Sequence, residues 1–344
     1  MAHSQPNPQQ PKDAAAVILL RAQTNPNDPE VLWVKRSPKL KFLGGYRAFP
    51  GGQREATDAE ARVTNCEDEE SAAMISCAAR ELFEEVGVLL ARGAETLTVG
   101  QRRSLLDDLE SARMTWSQLL DHYGLHLDAN DFTFVGRWVT PPFAPRRFDT
   151  WFFLAHCPNK QEPRITQDLE LESGEWISAR EAFERWQRSE LIVVPPVLHG
   201  MKTLAAGLDD DLVSRFLSVP EAHRAITRRM EFHPHYICFP LRTPTKPPAT
   251  HTNCYLIYTS TEVLIIDPGS PYEDEQAALA KAVDDLIADG KAPREIVLTH
   301  VHPDHIAGVN ALHDHLAQRH GGRISVAAHR LTAESLKGDR KSVV

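Results

Sequence analysis

Three glutamates lie close together in the stretch AARELFEEVGVLL, which covers residues 78–90. At about 100° per helical residue, Glu81, Glu84 and Glu85 share an arc of roughly 100°, and the apolar residues between them face the opposite side. Like charges three and four positions apart weaken an isolated helix by about 0.2–0.5 kcal/mol per pair. Because carboxylates bind hard divalent cations, the cluster favours a Mg²⁺ or Mn²⁺ site, and an exposed acidic helix face is the alternative.

A second group of metal-binding residue types follows the apolar stretch EIVL near the end of the chain. In THVHPDHIAG, three histidines and one aspartate fall within six positions: His300, His302, Asp304 and His305. Imidazole and carboxylate groups at the end of a strand are typical ligands of Zn²⁺. The sequence therefore predicts two separate metal chemistries, one in each half of the chain.

Apolar runs bounded by Asn, Pro, Asp and Gly predict the strands that must hold these groups. They cover residues 14–22, 31–37, 132–140, 146–157, 253–259, 262–270 and 294–300. Helical patterns cover residues 71–86, 100–122, 178–188, 200–235 and 273–290. A Pro- and Thr-rich segment separates the two sets of elements, and we place the change of domain near residue 230.

The predicted organisation has four parts. Residues 1–12 are polar and rich in Pro and Gln, which predicts a disordered arm. Residues 13–200 form a first α/β domain, residues 201–235 a helical and Pro-rich connection, and residues 236–344 a second, partial domain.

Composition limits the function classes. The chain has 344 residues, 42% of them hydrophobic and 25% charged, which is typical of a globular protein with two domains. Its net charge of -9 argues against a nucleic acid polymer as partner. No run reaches the roughly 18 apolar residues that cross a bilayer, and the N-terminus lacks the apolar core of a secretory signal, so we expect no membrane association and a cytoplasmic location.

The stretch RELFEEVGV, residues 80–88, together with FPGG, residues 49–52, resembles the Nudix box, G-x5-E-x7-R-E-U-x-E-E-x-G-U, where U is aliphatic. The second half of the pattern matches completely. Counted back from Arg80, the first half departs, with Ala72 at the glutamate position and Cys66 at the glycine position. If Gly52 is the glycine, the box contains an insertion of about 14 residues, and we expect Glu69 or Glu70 to replace the missing carboxylate.

Further stretches resemble the Nudix branch of coenzyme A and acyl-CoA diphosphatases, namely KRSPKLKFLGGYRAFPGG, RWVTPP and RRFDTWFF. The resemblance implies an α/β/α sandwich that binds Mg²⁺ or Mn²⁺ and hydrolyses a nucleotide-containing diphosphate. It implies metal binding by Glu81, Glu84, Glu85 and the Gly52 carbonyl. Glu84 or Glu85 would take the proton of the attacking water, and Arg80 would orient the glutamates.

Four arginines are candidates to bind the anionic substrate, and solvated surface positions are the alternative for each: Arg36, Arg47, Arg146 and Arg147. Glu172 is a weaker candidate ligand or base, and a surface carboxylate is its alternative. The substrate predicted from the resemblance is a small molecule.

The residues around His300 resemble the H-x-H-x-D-H motif of metallo-β-lactamase fold hydrolases, and THTNCYLI and LIIDPGS resemble that family's opening strands. The resemblance implies one zinc bound by His300 and His302 and a second bound by Asp304 and His305. Because the later ligands of the family have no counterpart after His305, we predict an incomplete αβ/βα domain with an open apolar face. Self-association, another partner, or a fragment of a longer chain are the alternatives that would account for that face.

Three hypotheses for the function follow. The first is a Mg²⁺-dependent Nudix hydrolase of a nucleotide-containing, coenzyme A-like diphosphate. The second is a zinc hydrolase of a thioester or another ester, with the metallo-β-lactamase-like domain as the catalytic part. The third is a non-catalytic protein that retains the nucleotide cleft.

Overall fold

The computed structural model describes residues 10–21, 24–142, 144–165, 170–247, 249–321 and 324–336. Most of the predicted disordered arm, residues 1–9, lies outside these ranges, as do residues 337–344 of the predicted second domain. Contacts between residues divide the chain into two compact units, and the division falls between Thr227 and Arg228. Both units mix helices and strands, in agreement with the predicted α/β class.

The first unit is built on an eight-stranded mixed sheet. Its strands are β1 (Lys12–Leu20), β2 (Glu30–Arg36), β3 (Arg47–Ala48), β4 (Gly51–Gln53), β7 (Thr133–Val139), β8 (Phe148–His156), β9 (Leu171–Ser178) and β10 (His223–Ile226), and the short strands β5 (Val63–Thr64) and β6 (Leu127–Asp128) pair separately. The main strand order is β10-β7-β8-β1-β2-β3, while β4 pairs with β1 and β9 pairs with β2. Strand β1 runs parallel to β8 and antiparallel to β2 and β4.

Strand β1 is buried on both faces of this sheet. Its odd-numbered residues from Ala15 to Leu19 belong to one apolar core, and its even-numbered residues from Ala16 to Leu20 belong to another. A strand buried on both sides needs an uninterrupted apolar sequence, which explains why AAAVILL shows no alternation with polar residues. The sheet therefore forms the middle layer of a three-layer α/β/α arrangement.

Helices cover the two faces of the sheet. They are α1 (Glu69–Val86), α2 (Val99–Glu110), α3 (Trp116–His122), α4 (Ala179–Gln187), α5 (Pro195–Ala205) and α6 (Leu212–Phe216). Buried residues of α1 and α3 belong to the first core, whereas buried residues of α4, α5 and α6 belong to the second. Within the described parts of the chain, none of the helices has the length and hydrophobicity needed to cross a bilayer.

Helix α1 carries the three glutamates and has clear signals at both ends. Asp68 caps its N-terminus by accepting a hydrogen bond from the Ser71 backbone N–H. At the other end, the Gly87 N–H donates to the Phe83 carbonyl oxygen at 2.9 Å, and Gly87 has the left-handed φ of 67° that glycine adopts readily. The predicted helix over 71–86 is thus confirmed, with a start two residues earlier.

The helical pattern predicted over 100–122 corresponds to two helices, α2 and α3, with a break between them. Ala112 has a φ of 52°, which no regular right-handed helix contains. Helix α3 then starts afresh with a capping box, in which Thr115 and Gln118 satisfy each other's backbone N–H groups. The sequence T-W-S-Q carries this start signal, which the periodicity of the surrounding residues obscures.

Residues 201–227 do not form the predicted connection between domains. They belong to the first unit, where Met201, Leu204, Leu212 and Phe216 are buried in the second core. Apolar residues at helical spacing bury themselves against the nearest open sheet face, and this face is the one opposite α1.

The second unit contains a five-stranded sheet in the order β11-β12-β13-β14-β15. Its elements are β11 (Tyr236–Arg242), β12 (His251–Tyr258), β13 (Glu262–Ile266), α7 (Glu273–Ala288), β14 (Ala292–Leu298), α8 (Pro303–Ile306), α9 (Val309–His320), β15 (Ser325–Ala328) and α10 (Arg330–Leu336). The first three strands pair antiparallel and the last three pair parallel. Buried residues of α7 and α9 pack with the strands in a core of the unit's own.

Candidate functional site

The glycine loop, residues 49–52, overlaps the start of β4 and is held against the acidic helix by Gly51. The Gly51 backbone N–H donates a hydrogen bond to Glu85 Oε2 at 2.9 Å. Gly51 pairs with Ala16 of β1 and has a φ of 155°, and a Cβ atom at this position would overlap the backbone of Ala15 and Ala16. Only glycine lets the chain approach β1 this closely while it presents its N–H to Glu85.

Gly52 lies directly against a second glutamate. A Cβ atom at Gly52 would lie 2.7 Å from Glu81 Oε1 and still closer to the other carboxylate atoms. The Gly52 carbonyl oxygen accepts a weak hydrogen bond from Cys77 Sγ at 3.8 Å. The loop therefore brings a backbone N–H, a backbone carbonyl and two carboxylates to one place, and the metal-binding role of the Gly52 carbonyl stays a prediction.

The Arg80 side chain links two of the three glutamates, Glu81 and Glu84. Its side chain is only 3% exposed, and its NH1 group donates to Glu81 Oε1 at 3.0 Å and to Glu84 Oε2 at 2.8 Å. Its NH2 group donates to the Gln53 carbonyl oxygen at 3.0 Å. The guanidinium group thus fixes two of the three glutamates and β4, the strand that contains the glycines, as expected of a residue that orients the cluster.

The remaining partner of Arg80 is Asp58, which the sequence analysis missed. Arg80 Nε and NH2 bind Asp58 Oδ1 and Oδ2 at 2.8 and 2.9 Å, and Asp58 is completely buried. Asp58 lies in the short 3-10 helix Ala56–Glu60. A buried bidentate pair of this kind leaves both charges compensated.

Asp58 also explains the interrupted motif. Counted forward from Gly52, five residues intervene before Asp58, so an aspartate occupies the place of the motif's first glutamate. The insertion then lies between Asp58 and Arg80, which are separated by 21 residues where the pattern has seven. The expectation that Glu69 or Glu70 fills this place is wrong, because Glu69 is exposed and Glu70 binds Arg137 at 3.3 Å.

The surroundings of the three glutamates favour the neutral carboxyl form, so the pKa of each is raised. The pKa of Glu81 is raised to about 7, chiefly by burial and in addition by the charge of Glu84, against the attraction of Arg80. Burial, followed by the charge of Glu81, raises the pKa of Glu85 to about 8, and burial also raises the pKa of Glu84. A divalent cation would supply the charge that the carboxylates need to stay ionised at neutral pH, so these residues fit a Mg²⁺ or Mn²⁺ site.

The glutamates open into a cleft of about 1100 Å³. Its walls are both charged and apolar, and they include Arg36, Phe42, Leu43, Phe49, Glu55, Leu109, Glu110, Arg146, Phe148 and Glu170. The rings of Phe42 and Phe148 lie 6.0 Å apart on one side of the cleft. The cleft is large enough for a small-molecule ligand with a planar or apolar part attached to an anionic one.

Of the four predicted substrate-binding arginines, the cleft contains Arg36 and Arg146. Arg47 does not line it, because its guanidinium group binds Glu175 at 3.1 Å and stacks on the Trp33 ring at 5.1 Å. The side chain of Arg147 donates to the Thr140 carbonyl oxygen at 3.0 Å. Both arginines thus have structural partners, which spacing along the sequence does not reveal.

The weaker candidate Glu172 does not line the cleft either. It forms an ion pair with Lys35 at 2.9 Å on the surface of the sheet. Glu170, two residues earlier, lines the cleft, and its charge contributes to the raised pKa of Glu85. Residues two positions apart share a face in a regular strand, but the pairing of β9 with β2 shifts register between Lys35 and Arg36, so Glu172 lies at an irregularity of the strand. The sequence alone does not reveal this irregularity, and therefore it does not distinguish the two glutamates.

The second unit brings together another group of metal-binding atoms. Ligand atoms of Asp267, His300 and His305 lie within 4.8 Å of one another. His305 Nδ1 lies 2.9 Å from Asp267 Oδ2, and the Thr299 N–H donates to Asp267 Oδ1 at 2.8 Å. Asp267 is buried and has a left-handed φ of 53°. Its carboxylate contacts the His305 ring.

The other two predicted zinc ligands lie beside this cluster. His302 Nδ1 is 3.0 Å from His300 Nε2, and Asp304 Oδ2 accepts a hydrogen bond from Thr252 Oγ1 at 3.1 Å. Imidazole nitrogens and carboxylate oxygens form a donor set that fits Zn²⁺. The sequence analysis included Asp267 only within the stretch LIIDPGS and not as a ligand, although the apolar strand before it indicates that its side chain lies at a strand end.

Two family models match the chain. Residues 67–204 match the NUDT19 Nudix domain, and residues 247–339 match the metallo-beta-lactamase superfamily. Among solved structures, the chain is similar to a NUDIX hydrolase from Alicyclobacillus acidocaldarius, with 34% identity and a TM-score of 0.50. That similarity covers 60% of this chain and 96% of the other.

Curated relatives give the same picture. Over 60% of its own length, the chain is 29% identical to a putative nudix hydrolase 7 from Caenorhabditis elegans. The matched region spans 65% of that relative. It is 24% identical to the acyl-coenzyme A diphosphatase NUDT19 of Homo sapiens, over 86% of this chain and 91% of the human protein.

Proposed function

The chain belongs to the Nudix hydrolase family and continues into a metallo-β-lactamase-like unit, and from this membership we propose that it hydrolyses the diphosphate bridge of a nucleotide derivative. The fold class predicted from the sequence, a Nudix domain followed by a metallo-β-lactamase-like domain, is confirmed. The observation that carries the proposal is the cluster of Glu81, Glu84 and Glu85 in the lining of a cleft that also contains Arg36 and Arg146.

We propose a coenzyme A-like diphosphate as the substrate class. The human relative is named an acyl-coenzyme A diphosphatase, and the cleft offers matching chemistry. Arg36 and Arg146 can bind the anionic oxygens, while Phe42 and Phe148 provide an aromatic wall for a planar or apolar group.

Mg²⁺ or Mn²⁺ would be held by Glu81, Glu84 and Glu85, together with the Gly52 carbonyl oxygen. When bound, the cation neutralises charge on the diphosphate oxygens and lowers the pKa of a bound water. The proposal is supported by the donor set, which consists of oxygen ligands alone, and by the raised pKa values of all three carboxyl groups.

The protein's own residues would then have separate roles, one in proton transfer and the others in positioning. Glu84 or Glu85 accepts the proton of the attacking water, since both line the cleft and both have a pKa above the ordinary value. Arg80 holds Glu81 and Glu84 in place, and the Gly51 N–H holds Glu85. Asp58 in turn holds Arg80, so that the site is supported by one continuous hydrogen-bonded group.

The double variant Glu84→Gln plus Glu85→Gln tests the proposal. We expect its turnover of a coenzyme A-like diphosphate with Mg²⁺ to fall by about 10³-fold or more, which corresponds to roughly 4 kcal/mol of barrier. The reason is that the variant lacks two proposed metal ligands, which are also the two candidate bases. Product formation is measured with Mg²⁺ and with Zn²⁺ for the intact chain and the variant. Glu172→Gln is the matched control, since Glu172 lies outside the cleft lining.

Unchanged hydrolysis by the double variant would place the chemistry elsewhere. An intact chain that binds the diphosphate but does not cleave it with any divalent cation would support the third hypothesis, a non-catalytic binding protein. Hydrolysis that requires Zn²⁺ and survives the double substitution would support the second hypothesis.

The cluster of Asp267, His300 and His305 favours a second candidate function, zinc-dependent hydrolysis in the second unit. We propose Zn²⁺ binding by His300, His302, Asp304 and His305, with Asp267 as a further ligand or as the residue that orients His305. A thioester or another ester is the substrate class that this alternative implies. Metal analysis of the purified chain and ester hydrolysis with added Zn²⁺ test it directly.

A further inference from the structure

A second cavity, of about 500 Å³, lies beside α1 and α2 in the first unit. Phe83 and Gly87, one helical turn apart on α1, line it, whereas the glutamates of α1 line the catalytic cleft. From α2 it is lined by Val99, Arg102, Arg103 and Leu106, which share one face of that helix. This cavity is therefore separate from the site described above, and nothing in the proposed reaction uses it.

The interior of the cavity is largely apolar. Phe83, Leu106 and Ile165 form its walls, and Val99 remains 59% exposed at its edge. An exposed valine beside the partly buried Leu106 and Ile165 leaves a surface that an apolar ligand can cover, with each buried methylene contributing to the affinity.

The rim of the cavity is basic. It carries Arg102, Arg103, Lys160 and Arg164, against the single carboxylate of Glu162. Arg102 NH1 donates to the Leu97 carbonyl oxygen at 2.8 Å. Within the described ranges, Arg103, Lys160 and Arg164 form no ion pair, so their charges are available to an anion.

We propose that this cavity binds an anionic amphiphile, whose acyl chain lies between Phe83, Leu106 and Ile165 and whose anionic head binds the arginines and lysine of the rim. A cavity of this volume suits a small molecule and is too small for a macromolecule. The excess of basic groups stands out in a chain whose net charge is -9, which argues for an anionic rather than a neutral ligand.

Titration calorimetry with sodium dodecanoate, below its micelle concentration and in the presence of a metal chelator, tests the proposal on the full chain. We expect saturable binding, which tightens about three- to fourfold per methylene from octanoate to dodecanoate. Dodecanol, which lacks the charge, and inorganic phosphate, which lacks the chain, should bind at least about tenfold more weakly.

The double variant Arg103→Glu plus Arg164→Glu should weaken dodecanoate binding by at least about tenfold. Val99→Asp should do the same, and it should not disturb folding, because an acidic residue is favourable in the first turn of α2. The matched control is Arg62→Glu, at an exposed arginine outside the cavity, which should change the affinity less than about twofold.

The variant Glu84→Gln plus Glu85→Gln should bind dodecanoate like the unchanged chain, so that failure of the proposed function and failure of this inference are distinguishable. Equal affinity of the rim variants and the unchanged chain would overturn the inference, as would equal binding of dodecanol. Binding to phosphatidylglycerol vesicles without binding of free dodecanoate would also overturn it, because it would indicate a lipid surface as the partner.

Discussion

Arg80 is the residue through which the acidic cluster is organised. It is almost completely buried and binds Asp58, Glu81 and Glu84, so one side chain determines the positions of two proposed metal ligands. A buried cation of this kind depends on Asp58 for its compensation, and the loss of either partner leaves an unpaired charge.

Asp58→Asn should affect both the positioning of Arg80 and the stability of the fold, and the two effects can be measured separately. We expect a loss of about 10- to 100-fold in activity with an increased Mg²⁺ requirement, because the carboxylate that orients Arg80 is gone. The free energy of unfolding should fall by about 3–5 kcal/mol, since a buried pair is broken. Mg²⁺ titrations of activity and denaturant unfolding measure the two effects.

Asp58→Glu is the matched variant, because it restores the residue type of the motif and keeps the charge. We expect it to retain most of the activity and an unchanged Mg²⁺ requirement. An Asp58→Asn protein with the Mg²⁺ dependence of the original chain would show that Arg80 does not position the glutamates.

Glu85 should make the metal-free protein less stable as the pH rises. Its pKa of about 8 in the fold exceeds its ordinary value of 4.5, so the folded state binds the extra proton more tightly than the unfolded chain does. Stability is therefore greatest below about pH 4.5 as far as this group is concerned, and it is lost as the pH rises toward about 8.

Glu85→Gln should remove this loss, because glutamine stays neutral. In a metal chelator at about pH 8, we expect the variant to be more stable than the original chain by about 1–3 kcal/mol, with a smaller difference at about pH 5. Saturating Mg²⁺ should reverse the order, because only the original chain gains binding energy. Thermal unfolding at both pH values checks the result, and a difference independent of pH would contradict the assignment.

The glycine loop and α1 form the element that presents the site. A Cβ atom added at Gly51 would meet the backbone of β1, whereas the three atoms nearest to a Cβ added at Gly52 all belong to the end of the Glu81 side chain. The two neighbouring glycines therefore have different functions, one in folding and one in the geometry of the ligands.

Substitution of each glycine by alanine should show this difference. Gly51→Ala should destabilise the fold by about 2–4 kcal/mol, because the new Cβ meets rigid backbone atoms. Gly52→Ala should leave the unfolding temperature nearly unchanged and lower the activity by about tenfold or more, because the Glu81 carboxylate has to move. Thermal unfolding and Mg²⁺-dependent hydrolysis measure both variants. Equal loss of stability in both would contradict the distinction.

The elements were predictable to the extent that their signals are local. Helix α1 has an aspartate cap, an apolar face and a terminal glycine, so its range follows from the sequence within two residues. The break between α2 and α3 depends on the left-handed conformation of Ala112, a residue that favours helices. Arg47 and Arg147 resemble Arg36 and Arg146 in sequence context, and only the folded chain shows which of them find structural partners.

The whole molecule consists of two units with separate apolar cores and separate groups of proposed metal ligands. The change of unit at residues 227 and 228 was predictable to within a few residues from the change in pattern near residue 230. The assignment of residues 201–227 was not, because a charged helical segment shows the packing face only once the sheet it covers is known.

We expect the two metal sites to be functionally independent. His300→Ala plus His305→Ala should abolish zinc binding and leave diphosphate hydrolysis unchanged, since these residues belong to the second unit. Glu84→Gln plus Glu85→Gln should have the opposite effect. We also expect weakly held zinc, less than one ion per chain after purification. Of the proposed ligands in the described residues, only Asp267, His300 and His305 have ligand atoms within 4.8 Å of one another, so His302 or Asp304 would have to move to supply the usual fourth ligand.

Metal analysis and activity measurements on the same preparations check this prediction. Tightly bound zinc at two ions per chain would contradict the expected weak binding. A loss of diphosphate hydrolysis in the histidine variant would show that the units depend on each other.

The hydrogen bonds between Asp58 and Arg80 join two positions 22 residues apart in the chain. The entropy lost on closing a loop grows only with the logarithm of its length, so extending this segment by 14 residues adds little to the cost of folding. The two halves of the motif therefore meet in the folded chain although an insertion separates them in the sequence. A search that demands fixed spacing will overlook such proteins, whereas one that scores an acidic residue five positions after the glycine and the arginine separately will find them.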